Sequence, residues 1–261
     1  YIVGYSASGG EIIYNGGVNG SVGSPISHNV SLNSTYYYAL YSYDGSDYSI
    51  VASTNTVTTG DECSDLAGEW VRVPGNPAYE ANDFCVMKYE AKCSNANGQS
   101  CDSTDTPTSI AGGTPWVRIK QKMNTTETTA TTACARIPGA QLISNEQWMT
   151  IATNIADQAS NWSGGSVGSG ALNRGHSDDS SALAATGSHG TWSTNRRTHT
   201  LSNGEVIWDM GGNVQEWTSN VSGHFFGGYW DSGAYAIVFV SSGYIDSLIS
   251  YTRIGFRCVR L

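Results

Sequence analysis

Over the first 59 residues, apolar and polar positions alternate in short runs between Gly- and Asn-rich turns. Tyr1-Ile2-Val3-Gly4-Tyr5-Ser6 has the period of two expected of a half-buried strand. Ile12-Ile13-Tyr14, Ile26 to Val30, Tyr36 to Tyr43 and Ile50 to Thr59 follow as further strands rich in Tyr, Val, Ile and Thr. Branched and aromatic side chains fit a pleated surface, so residues 1–60 are predicted to form an all-β module of the sandwich kind.

Past the linker Gly60-Asp61-Glu62 the pattern loosens. Trp70 to Pro74 and Phe84 to Lys92 predict strands around the turn-rich Gly75-Asn76-Pro77, and Trp116 to Ile119 predicts another. Cys93 to Gly113 reads as loop. The period changes to that of a helix at Trp148, Ile151, Ala152 and Ile155, which fall at i, i+3, i+4 and i+7 and make one apolar stripe. Ser144 is placed to cap the first turn, and Gln147 to reach back to it. A weaker helix is expected near Thr126 to Arg136, against a Thr content that loses rotamer freedom there. Ser160 to Asn203 is Gly-, Ser- and Asn-rich, and loops of that length in a compact domain are functional or heavily cross-braced. In the apolar run Ile237-Val238-Phe239-Val240, Val238 and Phe239 are expected in a core strand.

Composition narrows the classes. A chain of 261 residues has length for one large domain or two ordinary ones. A net charge of -9 with 13 basic residues argues against nucleic acid or an anionic membrane as partner. No apolar run approaches the roughly 20 residues a spanning helix needs, so membrane insertion is not expected. The chain starts at Tyr1 inside a strand, with neither initiator Met nor signal peptide, and is taken as a mature or trimmed fragment. Cys63, Cys85, Cys93, Cys101, Cys134 and Cys258 contain no Cys-X-X-Cys pair, which favours disulfides in an oxidising compartment over zinc or redox chemistry. The alternative is six buried free thiols. Pairing is open, with Cys93–Cys101 favoured by closeness. Asn-X-Ser/Thr triplets begin at Asn19, Asn29, Asn33, Asn124, Asn161 and Asn220.

A series of motifs then carries a resemblance. Arg136-Ile137-Pro138, Leu142-Ile143-Ser144 with Glu146-Gln147-Trp148, Leu172-Asn173-Arg174, Trp208 to Trp217, Gly227-Gly228-Tyr229-Trp230 and Gly255-Phe256-Arg257-Cys258 occur in that order. The series, over residues 61–261, resembles the formylglycine-generating-enzyme branch of the C-type lectin fold. Within it the chain looks most like the variable proteins of diversity-generating retroelements, found on cell and virion or phage surfaces. Leu32 to Tyr38, the Asp44-Gly45 turn and Ser53 to Thr59 resemble the second half of a fibronectin type III module. The fold class implied is α+β: a C-type lectin-fold domain at 61–261 after a partial immunoglobulin- or fibronectin-like β module at 1–60.

The resemblance divides the C-terminal region in two. Trp208, Gly212, Asn213, Glu216, Trp217, Trp230, Gly255, Phe256 and Arg257 are expected to be a structural frame. Gly211 and Gly212 would make a tight turn, Trp208, Trp217 and Trp230 would pin the core, and a buried Arg257 would need Glu216 or backbone carbonyls. Tyr229, Asp231, Ser232, Tyr235, Ile237, Tyr244, Ile245, Asp246, Leu248, Ile249, Tyr251 and Arg253 are expected to be the variable, ligand-binding positions. They mix aromatics, aliphatics and charges without a helical or strand period, as antibody paratopes do. Retroelement mutagenesis alters adenines, and an Asn codon so altered cannot give Lys, Glu, Gln, Met or Trp; Trp230 falls in the fixed Gly-Gly-X-Trp frame, and the other four types are the test. Residues 229–253 contain none of the four, although they make up 23 of 261 residues overall, which would put about two there.

Catalysis is not expected. The oxidases of this branch carry a cysteine pair shortly before Gly-Phe-Arg-Cys, and Gly228 to Ile254 has no cysteine, so Cys258 has no thiol partner within that stretch to share a metal. His176, His189, His199 and His224 do not fall at ligand spacing. Asp178-Asp179 is the one candidate for calcium, though an acidic pair in a Gly/Ser loop is more often solvated, and no cofactor is expected. Calcium-dependent sugar binding would need a Glu-Pro-Asn type loop, which none of Pro25, Pro74, Pro77, Pro107, Pro115 and Pro138 provides. The reading is therefore an extracellular display protein for a macromolecular ligand, a protein on another cell or particle. A fixed-specificity adhesion or carbohydrate-binding module is the alternative, and a formylglycine-generating-type oxidase ranks last.

Overall fold

The computed structural model describes residues 2–6, 18–19, 35–41, 46, 53–58, 63–93, 98, 100–102, 104–121, 129–185, 196–219, 223–242 and 250–261. The chain divides into two compact units, Tyr1–Asp65 and Leu66–Leu261.

In the first unit β1 (Ile2–Ser6), β2 (Val18–Asn19), β3 (Thr35–Tyr41) and β4 (Ser53–Thr58) form an antiparallel sheet in the order β2-β1-β3-β4. Ile2 pairs with Tyr41 and Thr35 with Thr58. The alternating and β-branched runs at Tyr1–Ser6, Tyr36–Tyr43 and Ile50–Thr59 thus become β1, β3 and β4. The strands expected at 12–14 and 26–30, and the Asp44-Gly45 turn, lie outside the described residues.

The second unit contains β5 (Trp70–Val73), β6 (Phe84–Met87), α1 (Ala130–Cys134), β7 (Ala140–Leu142), α2 (Asn145–Ala156), β8 (Thr198–Thr200), β9 (Val206–Trp208), β10 (Gln215–Trp217), β11 (Phe225–Phe226), β12 (Ser241–Ser242), β13 (Ile254–Phe256) and β14 (Cys258–Arg260). The architecture is α+β, strand-rich with few helices. One four-stranded antiparallel sheet runs β5-β6-β14-β7, a second runs β12-β11-β10-β13, and β8-β9 is a separate hairpin. In the second sheet β10 and β13 are parallel, with Gln215 opposite Ile254 and Trp217 opposite Phe256. Parallel neighbours require a long crossover. Residues 218–253 are that crossover.

Helix α2 shows how the core is built. Ser144 Oγ accepts from Gln147 N at 3.1 Å while Ser144 N donates to Gln147 Oε1 at 2.9 Å, a reciprocal cap that stabilises the first turn by about 1 kcal/mol. The stripe Trp148, Ile151, Ala152 and Ile155 is wholly buried against Val71, Val73, Phe84, Val86 and Val259 of the first sheet and Phe226 of the second. Each large apolar side chain so buried contributes about 1.5–3 kcal/mol. Trp148 stacks on Phe226 and donates through Nε1 to Val238 O at 2.8 Å, which joins the helix to the crossover.

Several expectations need correction. The strand expected over Phe84–Lys92 ends at Met87, because the chain beyond turns Glu90, Ala91 and Lys92 into the interior. Trp116–Ile119 is not a strand: Arg118 has φ of 58°, which no strand tolerates, and the segment instead bonds to Gly98 O and Tyr251 O. The helix expected over 126–136 is only Ala130–Cys134, capped by Thr129, whose Oγ1 accepts from Thr132 N; residues 122–128 lie outside the described residues. Ile237–Val240 is a turn closed by Val240 N to Ile237 O rather than a strand, and it buries Val238 while leaving Phe239 exposed.

No described cysteine is free. Cys93–Cys101 closes the short loop, and Cys134–Cys258 joins α1 to β14. Asn161 is fully buried, its Nδ2 donating to Ile155 O and Thr200 O, so that triplet cannot accept a glycan. The long segment after Ser160 is cross-braced by these bonds.

Candidate functional site

The frame is assembled around two buried polar residues. Arg257 is 0% exposed and lies between β13 and β14. Its Nε donates to both oxygens of Glu216 at 2.8 and 2.9 Å, and Nη1 donates to Met87 O and Lys88 O at 3.0 Å each. Nη2 donates to Trp208 O. A buried guanidinium has its whole fork satisfied here, as its burial demands.

Asn213 is the second centre. Its φ of 59° puts it in the left-handed region, which Asn tolerates better than branched residues do. Its Nδ2 donates to Glu90 Oε2 and Leu183 O, while Oδ1 accepts from Leu183 N and lies 3.0 Å from His176 Nδ1. Its own N–H donates to His176 O, and its carbonyl accepts from Trp230 N. Gly212 beside it has φ of 77°, and a Cβ there would stand 2.4 Å from His176 O. A Cβ on Gly211 would stand 2.6 Å from Ala236 O. Both glycines are required by close backbone approach.

Buried charge surrounds this frame. Glu90, Asp209 and Glu216 are matched by Lys92, Arg197 and Arg257. Arg197 grips Asp209 through Nε and Nη2, both at 2.7 Å. Burial pushes Glu90 up to about 8, with the neighbouring Asp209 adding to the rise. Burial also pushes Glu216 up to about 7, against the pull of Arg257. It lowers Lys92, and it depresses His199 to about 4 although Nε2 donates to Asn173 O.

Of the expected frame residues, Asn213, Glu216, Trp217, Phe256 and Arg257 are each 0% exposed, and Gly212 and Gly255 are buried. Trp217 donates through Nε1 to Ile119 O and packs edge-on against Phe225. Trp208 and Trp230 are only half-buried, which corrects their place as core pins. Trp208 instead lies under the Arg197 guanidinium at 5.8 Å, and Trp230 faces a cavity.

The expected ligand-binding positions separate differently. Tyr235 is 76% exposed, Asp231 and Tyr251 are exposed, and Tyr229, Ser232, Ile237 and Arg253 are half-buried. Tyr244, Ile245, Asp246, Leu248 and Ile249 lie outside the described residues. The structure brings Tyr229, Trp230, Tyr251 and Arg253 together. Arg253 stacks over the Tyr229 ring at 4.8 Å and the Tyr251 ring at 5.3 Å, and Tyr229 meets Trp230 edge-on at 5.5 Å. Beside them is a cavity of about 160 Å³ whose wall includes Trp230, Thr252, Pro115, Val117, Ser180 and Ser181.

Chemically, this surface offers contact area, hydroxyls and one guanidinium. Asp178 and Asp179 are exposed, and Asp179 is engaged by Ser180 N at 2.6 Å and His176 Nε2 at 3.2 Å. Among the described residues, the grouping with metal-ligand spacing is Cys93, Cys101 and Asp105, and its two sulfurs are joined in a disulfide, so they offer no thiolate.

No family model and no curated protein matches the chain. The chain is similar to a solved structure, Treponema denticola variable protein 1. The two are 12% identical, with 91% of this chain and 99% of that chain covered, at a TM-score of 0.39. A likeness that loose fixes neither topology nor function. Sequence reasoning missed Glu90, Arg197, Asp209 and His176 as the groups that hold the frame. Asp209, next to Trp208 in the motif, was in view, whereas Glu90 fell inside the strand predicted over Phe84–Lys92 and carries no local signal of its own.

Proposed function

We propose that the protein is a non-catalytic display protein of the C-type lectin fold in which part of the crossover, about residues 229–253, is diversified by a retroelement to bind varied macromolecular ligands. Residues 1–60 would be a partial fibronectin-like module that carries the binding domain at a cell or virion surface. The motif series from Arg136 to Cys258 supports the family reading, and the disulfides fit an oxidising compartment. Among the described residues no helix is long and apolar enough to cross a membrane.

One observation carries the display reading: two nearby stretches, Met210–Trp217 and Tyr229–Tyr235, have opposite exposure. Every residue from Met210 to Trp217 is buried, and none from Tyr229 to Tyr235 is. Exposed substitutions shift stability by under about 0.5 kcal/mol, so such a surface can change while its frame does not. The test is genetic. The codons for residues 221–261 are sequenced across a population, and the neighbouring DNA is searched for an adenine-rich near-copy. Changes confined to 229–253, at positions where the copy has adenines, support diversification. A uniform sequence without a near-copy sinks it and leaves a binding module of fixed specificity.

A further inference from the structure

Resting on the display reading, we infer that Arg253 and the adjoining cavity form a two-point subsite that takes an acidic side chain and a neighbouring aromatic side chain of a protein partner. Arg253 differs from three ion-paired arginines of this unit. Arg72 pairs with Asp83, Arg197 with Asp209 and Arg257 with Glu216. The Arg253 guanidinium has no carboxylate among the described residues, and its buried Nε has no hydrogen-bond partner there. Nη1 donates to Tyr229 Oη at 3.2 Å, and the rings of Tyr229 and Tyr251 hold the plane in place. The buried Nε is closed to a ligand, but Nη2 makes no hydrogen bond to a described residue, so this oriented, half-buried guanidinium offers that edge to a carboxylate, and the planar group loses little freedom on binding it.

The second point is the cavity. Trp230 connects it to the Tyr229–Arg253 stack, and Thr252 connects it through the chain itself. Its volume of about 160 Å³ is close to that of apolar cavities known to hold one benzene ring. Pro115, Val117 and the Trp230 indole supply apolar wall, and Ser180 and Ser181 supply hydroxyls. An aromatic side chain entering there places its neighbour's carboxylate over Arg253. Tyr229 and Tyr251, which flank the guanidinium, are the rigid contact residues that protein-binding paratopes use, which favours a protein over a glycan.

The full chain is titrated with N-acetyl-Phe-Asp-amide, N-acetyl-Phe-Asn-amide, N-acetyl-Ala-Asp-amide and the methyl glycoside of sialic acid, following tryptophan fluorescence. The Phe-Asp peptide is expected to bind about tenfold more tightly than either peptide control, at millimolar concentration. The advantage of Asp over Asn should vanish in Arg253→Gln, persist in part in Arg253→Lys, and weaken with added salt, with the melting temperature unchanged. Equal affinity for Asp and Asn peptides, an undiminished preference in Arg253→Gln, or no saturation by about 10 mM overturns the subsite. Tighter binding of the sialoside than of any peptide overturns the choice of a protein partner. Any of these results beside population variation at 229–253 leaves the display reading standing. Carboxylate binding without such variation does the reverse.

Discussion

Met210 to Trp217 and Tyr229 to Tyr235 are close in sequence and invert the usual relation between polarity and burial. The first stretch contains Asn213, Gln215 and Glu216 and is buried throughout; the second contains Tyr229, Trp230 and Tyr235 and is buried nowhere. Polar groups go inside only where each finds a partner, and Asn213, Glu216 and Arg257 do. Aromatic rings stay outside at little penalty where their neighbours are small or polar. The crossover is not free of the frame, however. Ala236 and Val238 are 0% exposed, and Val238 O holds Trp148 Nε1. It is an exposed surface pegged at Trp230 N, Ala236 and Val238, among other points.

The sharpest way to break this comparison is Trp217→Ala. Removing a fully buried indole should destabilise by about 3–5 kcal/mol and lower the melting temperature by about 10 °C, read by near-ultraviolet circular dichroism. An unchanged transition would mean the frame bears no load. Arg257→Met comes next, at about 3 kcal/mol, because Glu216 is left buried without its cation. Adding Glu216→Leu should recover part of that loss in a double-mutant cycle.

A smaller effect concerns pH. Glu90 in the folded chain is raised to about 8 from an ordinary 4.5, so the native state holds a proton that the unfolded chain has released. Its contribution is therefore present at low pH and lost as pH rises through 8. His199, depressed to about 4 from 6.5, works in the opposite sense, but only below about pH 6.5. Between pH 7 and 8, above the range of His199 and of Glu216, which is itself raised to about 7, stability should fall, by up to about 1 kcal/mol per unit, and Glu90→Gln should flatten that fall in denaturant titrations. A slope unaffected by the substitution would show that Glu90 is not the group responsible. The smallest effect belongs to Tyr235→Ala, under about 0.5 kcal/mol by the same measurement. A loss there as large as at Trp217 would erase the distinction between the two stretches.

What could be read in advance followed from local chemistry. The stripe from Trp148 to Ile155 and the Ser144–Gln147 cap lie within one or two turns of helix, so spacing alone reveals them. The need of Arg257 for a carboxylate is likewise a property of its own side chain. Glu90 was hidden because its role depends on Asn213 and Val214, 123 and 124 residues further on. Phe239 misled because a run of four apolar residues looks the same whether it forms a strand or a turn that buries only Val238. Trp230 misled because a Trp in a glycine-rich motif suggests a core pin, whereas its ring borders a cavity.

The last strand, β14, lies in the interior of its sheet, between β6 and β7. On a ribosome, that sheet cannot close until residues 258–260 have emerged. A stop or frameshift anywhere in 229–253 therefore removes β13, the Arg257–Glu216 pair, the Cys134–Cys258 bridge and the centre of the sheet together. Such a chain lacks the central strand of that sheet, so residues 258–260 tie its closure to an intact reading frame through the whole crossover.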